Sequence, residues 1–181
     1  MDQIFAPWRI DWVEREDKNA DLDGCPFCVL PERDDDRSNL VVAESESTAV
    51  ILNNYPYNPG HAMVIPRRHV GSYEELTEAE LLDHARLKQV TLRALDAGLH
   101  PDGVNTGMNL GEGAGGSIGD HIHTHIVPRW KGDTNFMPVV GDSKVIVEAV
   151  DDTYERLQEG FAAQPEATDA DLDGAVEIAF D

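Results

Sequence analysis

The stretch His-Ile-His-Thr-His at residues 121–125 carries more information about the fold than any other part of this 181-residue chain. Successive side chains of a β-strand point to opposite faces, so this spacing predicts that His121, His123 and His125 line one face of a strand. The residues between them would pack against a core on the other face. Imidazole is the side chain whose unperturbed pKa lies nearest to neutrality, so this face is suited to proton transfer or nucleophilic attack.

A glycine-rich segment, residues 109–118, precedes the three histidines. Glycine lets a ligand approach the backbone closely, and consecutive backbone N–H groups can bind phosphate oxygens. Three histidines next to such a segment indicate chemistry at phosphorus. The isolated His84 and His100 lack this context, and we expect them to be surface residues or hydrogen-bonded core residues.

A metal ion bound by all three clustered histidines is the main alternative. Residues i and i+4 of a strand are about 13 Å apart, because the rise is about 3.3 Å per residue. Metal–nitrogen bonds are only about 2.0–2.1 Å long. His121 and His125 are therefore poorly placed to bind the same ion, although two neighbouring histidines could do so. The spacing favours different roles for the three residues.

The chain has a formal net charge of −21, from 35 acidic and 14 basic residues. The acidic residues are spread along the chain, which favours a general acidic surface suited to a salt-rich cytoplasm over an interaction tail or a functional acidic surface. At 1 M salt the screening length is about 3 Å, so most of the self-repulsion would be removed. We therefore expect a halophilic source. A polyanion would be repelled by this charge, which argues against general nucleic-acid binding.

The sequence contains no run of 18 apolar residues, and its N-terminus lacks a basic region followed by an apolar stretch. We therefore expect no membrane span, no signal peptide and a cytoplasmic location. The length is suited to one domain with a real core. We assign residues 1–24 to an N-terminal extension, 25–160 to the domain, and 161–181 to an acidic tail that we expect to be flexible.

Short strand patterns alternate with turn-forming sequence, and two longer segments have helical spacing. The predicted strands are residues 40–43, 48–53, 62–65, 104–110 and 122–127. The predicted helices are residues 74–98, with Gly98 as C-cap, and 143–160, with Ser143 as N-cap. This order predicts an α+β fold with a mainly antiparallel sheet of about five strands and two main helices.

Both cysteines of the chain lie in the motif Cys25-Pro-Phe-Cys28. A structural disulfide is not expected in an intracellular protein. The motif could be half of a metal site, a redox pair or two inert thiols. Redox motifs of this type usually open a helix in a thioredoxin-like βαβ pattern, which is not apparent here. The spacing alone leaves these alternatives open.

Several motifs together indicate a family. They are Asn109, the Gly-Gly-Ser of residues 115–117, the His-Ile-His-Thr-His-Ile-Val-Pro of residues 121–128, the strand–turn–strand of residues 52–66, and residues 128–136. With these motifs the sequence closely resembles the histidine-triad (HIT) family, whose signature is His-φ-His-φ-His-φ-φ, where φ is apolar. Thr124 departs from that signature on the buried face. The resemblance spans residues 25–158 and implies the HIT fold.

Ser117, four residues before the first triad histidine, makes the chain look most like the diadenosine tetraphosphate phosphorylase and nucleotidyltransferase-like branch. Hydrolases and phosphoramidases of the family more often carry Gln at or near that position. The resemblance thus implies a nucleotide or dinucleoside polyphosphate as substrate. A purine-nucleoside phosphoramidase or dinucleoside polyphosphate hydrolase remains an alternative within the family, and a nucleotide-binding sensor with little turnover is an alternative of another class.

The resemblance also implies a role for each histidine of the site. His123 would attack the α-phosphorus and form a nucleotidyl-histidine intermediate, and His125 would donate a hydrogen bond to the phosphate or leaving-group oxygen. His61 would orient His123 from the adjacent strand and fix its tautomer. The nucleotide would also be bound by Asn109, Gly116 and Ser117 at the phosphates and by Asn53 at the ribose. Asn53 could equally be a turn-forming residue in its Asn-Asn-Tyr-Pro context.

Many members of the family bind zinc, and the resemblance places the four ligands at Cys25, Cys28, His69 and His121. Two thiolates and two imidazoles form a closed tetrahedral set, which is typical of a structural zinc ion. Two inert thiols without metal are the alternative. The resemblance implies no organic cofactor, and it implies a homodimer in which the two sheets join across the interface.

Overall fold

The computed structural model of the chain describes residues 22–114, 120–133, 148–169 and 174–181. Of the predicted N-terminal extension, residues 1–21 lie outside the described residues. No helix in the described ranges is long and apolar enough to cross a membrane.

A seven-stranded sheet forms the centre of the structure, and its strand order is β4-β5-β3-β2-β1-β7-β6. The strands are β1 (Val41–Glu44), β2 (Thr48–Leu52), β3 (Ala62–Pro66), β4 (Gly103–Gly107), β5 (Thr124–Arg129), β6 (Ala167–Asp169) and β7 (Val176–Ile178). Neighbours pair antiparallel except β1 and β7, which pair parallel. The predicted α+β fold with a mainly antiparallel sheet is confirmed, with two more strands than expected.

The additional strands come from the segment predicted to be a flexible acidic tail, so the prediction for residues 161–181 is wrong. β7 pairs with β1 through Ala43 and Val176, and it pairs antiparallel with β6. In β7 the apolar side chains of Val176 and Ile178 are buried while Glu177 between them is exposed. This short alternation extends the core, and three residues of alternation were too few to stand out within an acidic segment.

The α-helices in the described part of the chain are α1 (Pro26–Val29), α2 (Asp36–Asn39), α3 (Glu78–Leu99) and α4 (Val150–Ala162). α3 begins later than predicted, because Thr77 and Glu80 form a capping box: the Thr77 side chain accepts from the Glu80 N–H, and the Glu80 carboxylate accepts from the Thr77 N–H. α4 begins at Val150, not at residue 143, and Ser143 lies outside the described residues. Ala149 occupies the N-cap position of α4.

The predicted C-cap role of Gly98 is wrong. α3 continues through Gly98 to Leu99, and His100 adopts the left-handed conformation at its end, with a φ of 49°. A Cβ atom at Gly98 would lie 2.3 Å from the carbonyl oxygen of Arg156 in α4. Glycine is therefore needed here for the close approach of two helices, a tertiary requirement that a local cap pattern mimics.

Two clusters of buried residues cover the two faces of the sheet. α3 and α4 pack on one face against a large cluster that includes Val64, Leu87 and Leu157. On the other face a smaller cluster brings Phe27, from the segment around α1, against Ile51 and other strand residues. The cysteine motif is thereby fixed on the face of the sheet opposite the long helices.

Candidate active site and metal site

The central strands β3 and β5 bring two of the predicted histidines together. His125 lies on β5 and pairs in register with Met63 of β3, and His61 directly precedes β3. A tight turn at Gly60 precedes His61. Gly60 has a φ of 73°, and a Cβ there would lie 2.4 Å from a methyl carbon of Leu99. Only glycine satisfies both conditions at this position.

Hydrogen bonds determine which nitrogens of His61 and His125 carry protons. The backbone N–H of Tyr57 donates to Nδ1 of His61 at 3.1 Å, so Nδ1 is the acceptor and Nε2 carries the proton. His61 Nε2 lies 3.0 Å from Nδ1 of His125 and donates to it. His125, when neutral, therefore carries its own proton on Nε2. The result is a directed chain from a backbone amide through two imidazoles to an N–H donor.

His123 is held in the opposite tautomer by the backbone. Its Nδ1 lies 3.0 Å from the carbonyl oxygen of His121, and because a carbonyl only accepts, Nδ1 carries the proton and Nε2 has a lone pair. The side chain is buried, and burial lowers the pKa of His123, which keeps the ring neutral. The expectation that His61 fixes the His123 tautomer is wrong: the His121 carbonyl does so, and the hydrogen-bond partner of His61 in the triad is His125.

The three histidines follow one another as predicted, but the strand does not include all of them. β5 begins at Thr124, so His121 and His123 precede the ladder that contains His125. The rings of His123 and His125 remain close, with centroids 4.7 Å apart and planes at 80°. An unprotonated imidazole nitrogen therefore lies beside an imidazole N–H donor, an arrangement suited to nucleophilic attack with hydrogen-bond assistance at the leaving group.

Phe27 was not singled out by the sequence reasoning. Its ring lies 4.9 Å from the His123 ring and 5.6 Å, edge to face, from the His121 ring, measured between centroids. Phe27 is 4% exposed and excludes water from one side of His123. The signal was its position between the two cysteines, because a metal at those cysteines that also binds His121 must bring Phe27 to the triad.

The four predicted zinc ligands meet at one point. The ligand atoms of Cys25, Cys28, His69 and His121 all lie within 4.8 Å of one another. Three of the sulfur–nitrogen distances among them are 3.3–3.5 Å. A tetrahedral zinc ion with Zn–S of about 2.3 Å and Zn–N of about 2.05 Å places each sulfur about 3.6 Å from each nitrogen. The residues therefore fit such an ion in both chemistry and spacing.

The surroundings of the four ligands are also suited to a metal. Nε2 of His121 donates to the carbonyl oxygen of Pro66 at 2.8 Å, so its Nδ1, the atom facing the cysteines, has the free lone pair that a metal needs. Asp120 lies 3.7 Å from Nε2 of His69, on the far side of that ring from Cys28. Burial and the neighbouring Cys25 raise the pKa of the Cys28 thiol to about 11, so without a cation the thiolate is disfavoured.

The predicted nucleotide contacts are less completely placed. Asn109 is exposed shortly after β4, while Gly116 and Ser117 lie outside the described residues. Asn53 accepts a hydrogen bond from the Tyr55 N–H at 2.9 Å through Oδ1, which is the turn-forming arrangement that its sequence context also allowed. Its Nδ2 faces the sulfur of Met63 at 3.7 Å.

The chain is similar to known proteins in both sequence and fold. The family model described as HIT domain matches residues 35–132. An AP-4-A phosphorylase of Mycobacterium tuberculosis is 38% identical over 170 residues, which cover 91% of this chain and 87% of that protein. A Zn-bound histidine triad family protein from Mycobacterium smegmatis has a similar structure, with a TM-score of 0.60 and 28% identity over 77% of this chain and 94% of that one. A hypothetical histidine triad nucleotide-binding protein from Sulfolobus tokodaii gives a TM-score of 0.58 and 32% identity over 76% and 89%.

Proposed function

The chain belongs to the HIT domain family, and on that premise we propose that it cleaves a phosphoanhydride bond of diadenosine tetraphosphate through a nucleotidyl-His123 intermediate, with inorganic phosphate as the second acceptor. One observation carries the proposal: the hydrogen bond from His123 Nδ1 to the His121 carbonyl, which leaves Nε2 unprotonated. A buried, neutral imidazole with a lone pair is a competent nucleophile at neutral pH.

In the first proposed step, Nε2 of His123 attacks the α-phosphorus, and the bond from that phosphorus to the bridging oxygen breaks. ATP leaves with the electron pair of that bond. His125 Nε2–H donates a hydrogen bond to an oxygen on which charge develops, which stabilises the transition state. The His61–His125 hydrogen bond supports this role, because it keeps the proton of neutral His125 on the nitrogen that faces away from His61.

In the second step an oxygen of inorganic phosphate attacks the same phosphorus, and the bond between phosphorus and His123 Nε2 breaks. The products are ADP and the regenerated imidazole, so the sum is diadenosine tetraphosphate plus phosphate giving ADP and ATP. With water as acceptor the second product would be AMP. The preference for phosphate follows the 38% identical relative, which is named AP-4-A phosphorylase.

We assign the remaining nucleotide contacts as follows. Asn109, Gly116 and Ser117 would bind phosphate oxygens through amide, backbone N–H and hydroxyl groups. Asn53 would reach the ribose through Nδ2, because its Oδ1 accepts from the Tyr55 N–H.

We also propose that Cys25, Cys28, His69 and His121 bind a structural zinc ion. The fit of the four ligand atoms supports this, as does the Zn-bound histidine triad protein of similar structure. A zinc ion with four protein ligands has no open position for substrate, so its contribution is structural. It would tie the cysteine segment to His121, which lies two residues before His123. Elemental analysis of gently purified protein should find one zinc per chain, and chelation should lower the melting temperature. The assignment would be contradicted if the purified protein contained no zinc and a chelator left its melting temperature unchanged.

The predicted homodimer would join two sheets edge to edge, and in the described part of the chain the sheet ends at β4 and β6. Sedimentation equilibrium should give twice the chain mass of 19.9 kDa. A monomer at micromolar concentration would refute the dimer and leave the chemistry of His123 unaffected.

The decisive experiment is incubation with diadenosine tetraphosphate, with and without inorganic phosphate. ADP and ATP formed only when phosphate is present support the proposal. AMP and ATP would mean hydrolysis, and cleavage of an adenosine phosphoramidate alone would mean phosphoramidase activity. His123→Asn should abolish turnover and retain nucleotide binding. If the wild-type protein binds nucleotide but shows no turnover, it is a nucleotide-binding sensor.

A further inference from the structure

The buried imidazole of His84 contacts Thr124, the residue between His123 and His125, and the proposed chemistry does not use it. His84 is on α3 and is 3% exposed. Its Nε2 lies 3.1 Å from the hydroxyl oxygen of Thr124 and 3.4 Å from the carbonyl oxygen of Val64. The carbonyl can only accept, so Nε2 carries the proton and shares it between the two oxygens. As expected from the sequence, His84 is a hydrogen-bonded core residue.

Thr124 is the residue that departs from the apolar pattern of the family signature. It is 2% exposed, and a hydroxyl buried among apolar side chains is destabilising unless it is hydrogen-bonded. His84 supplies that hydrogen bond from the helix on the same face. Thr124, which departs from the signature, and His84, the isolated histidine of α3, are therefore partners in one hydrogen bond, although they are 40 residues apart in the sequence.

The interaction lies at the end of the pairing between β3 and β5, next to a triad residue. Thr124 and Val64 face each other at the end of the β3–β5 ladder, and the next pair, Met63 and His125, includes a triad residue. His84 thus contacts both of the strands whose pairing brings His61 to His125. Thr124 also directly follows His123, which lies outside the ladder.

The backbone of His123 is consequently fixed from both sides. Two residues before it, His121 is held through its hydrogen bond to Pro66 and belongs to the candidate metal site. One residue after it, Thr124 is held by His84. The peptide unit of His121, whose carbonyl sets the His123 tautomer, lies in the short segment between these two anchors.

We propose that His84 is a positioning residue that acts through Thr124 to hold the β3–β5 pairing and the backbone of His123 in the reactive geometry. This inference rests on the proposed function, because it concerns the same nucleophile. It adds a residue on the opposite face of the sheet that never touches the substrate. Displacement of a reacting group by about 1 Å can cost about 100-fold in rate, so a partial loss of alignment should be measurable.

The test compares four variants with the wild-type protein, all assayed well below their melting temperatures so that the folded fraction is the same. His84→Leu removes the hydrogen-bond donor of the buried Thr124 hydroxyl, and Thr124→Val leaves His84 Nε2–H with only the longer hydrogen bond to the Val64 carbonyl. The double variant replaces both side chains with apolar groups and restores the apolar pattern. We expect each single variant to lower kcat about tenfold with little change in KM. The double variant should recover most of the loss, and His84→Gln, which keeps a donor, should recover part of it.

Thr91→Val is the matched control. Thr91 is also fully buried on α3, but its hydroxyl bonds to the carbonyl of Leu87 within the same helix at 2.8 Å. We expect this variant to lose stability and keep its kcat. A kcat per folded molecule in His84→Leu equal to that of Thr91→Val would overturn the proposal, and so would a double variant as impaired as the worse single one.

A second measurement separates failure of this inference from failure of the proposed function. Nitrogen-15 NMR of the imidazole rings reports the tautomer of His123 and the hydrogen bond between His61 and His125 without any substrate. These signals should shift in His84→Leu and stay in place in Thr91→Val. If the wild-type protein cleaves no nucleotide, the proposed function fails while the NMR comparison still decides the positioning role; unshifted signals in His84→Leu would refute it.

Discussion

Replacing His61 with Phe tests the directed chain of hydrogen bonds in the triad. Phe keeps a ring that can stack on Tyr57, where the present centroid distance is 4.9 Å, but it removes the 3.0 Å hydrogen bond to His125. Without that bond the His125 tautomer with the proton on Nε2 loses the stabilisation that His61 gives it. A hydrogen bond that involves a charged or charge-developing group contributes about 1.5–3 kcal/mol. At about 1.36 kcal/mol per tenfold in rate, kcat should fall about 10- to 150-fold.

The assay is the steady-state cleavage of diadenosine tetraphosphate in the presence of phosphate. KM should change little, because the lost interaction matters most when charge develops on the leaving oxygen. If His61 acts through His125, the effect of His61→Phe should largely disappear in a His125→Phe background, since the two residues then share one function. A loss of less than about threefold in the wild-type background, or two losses that simply multiply, would refute the chain of hydrogen bonds.

Three further predictions concern the scaffold. Gly160→Ala should lower the free energy of unfolding by about 1–3 kcal/mol, because its Cβ would lie 2.3 Å from the Ala94 carbonyl oxygen; urea titration measures this, and Gly103→Ala, with open space at its Cβ, is the control. Cys28→Ser should lower the melting temperature in zinc and abolish the response to chelator; an unchanged response contradicts the zinc assignment. Burial lowers the pKa of His84 from 6.5, so the contribution of neutral His84 to the free energy of unfolding should be complete above about pH 6.5. This contribution should be lost as the pH drops towards the folded-state pKa of His84. The free energy of unfolding should fall less with pH in the His84→Leu, Thr124→Val double variant, and equal pH dependence would contradict this.

Candidate site residues could be named from the sequence only where a motif reports a local geometry. Alternation in residues 121–125 predicted different roles for the three histidines, and the structure brings His121 to the cysteines and His125 to His61. The cysteine motif and His69 acquired meaning only through the resemblance, and the structure brings all four proposed ligands together. Protonation states were not predictable, since they depend on the Tyr57 amide and the His121 carbonyl.

Errors arose where tertiary contacts override local patterns. Gly98 has the local appearance of a helix stop, but its lack of a side chain admits the Arg156 carbonyl from α4, and the helix continues. The acidic C-terminal segment has the composition of a tail, yet Val176 and Ile178 are buried beside β1. In both cases the deciding partner is far away in the sequence, so no window around the residue contains the information.

By itself the sequence determined the family of this protein, because three alternating histidines after a glycine-rich segment, together with the other motifs, carry the resemblance to the HIT family. It also predicted which side chains are candidates for the nucleophile, the hydrogen-bond donor and the metal ligands. Only the tertiary structure decided how they are used: a backbone carbonyl leaves His123 Nε2 unprotonated, His61 pairs with His125, and His84 on the distant helix holds Thr124. The physical reason is that tautomers and alignment are set by hydrogen-bond partners, and those partners are adjacent in space and not in the chain.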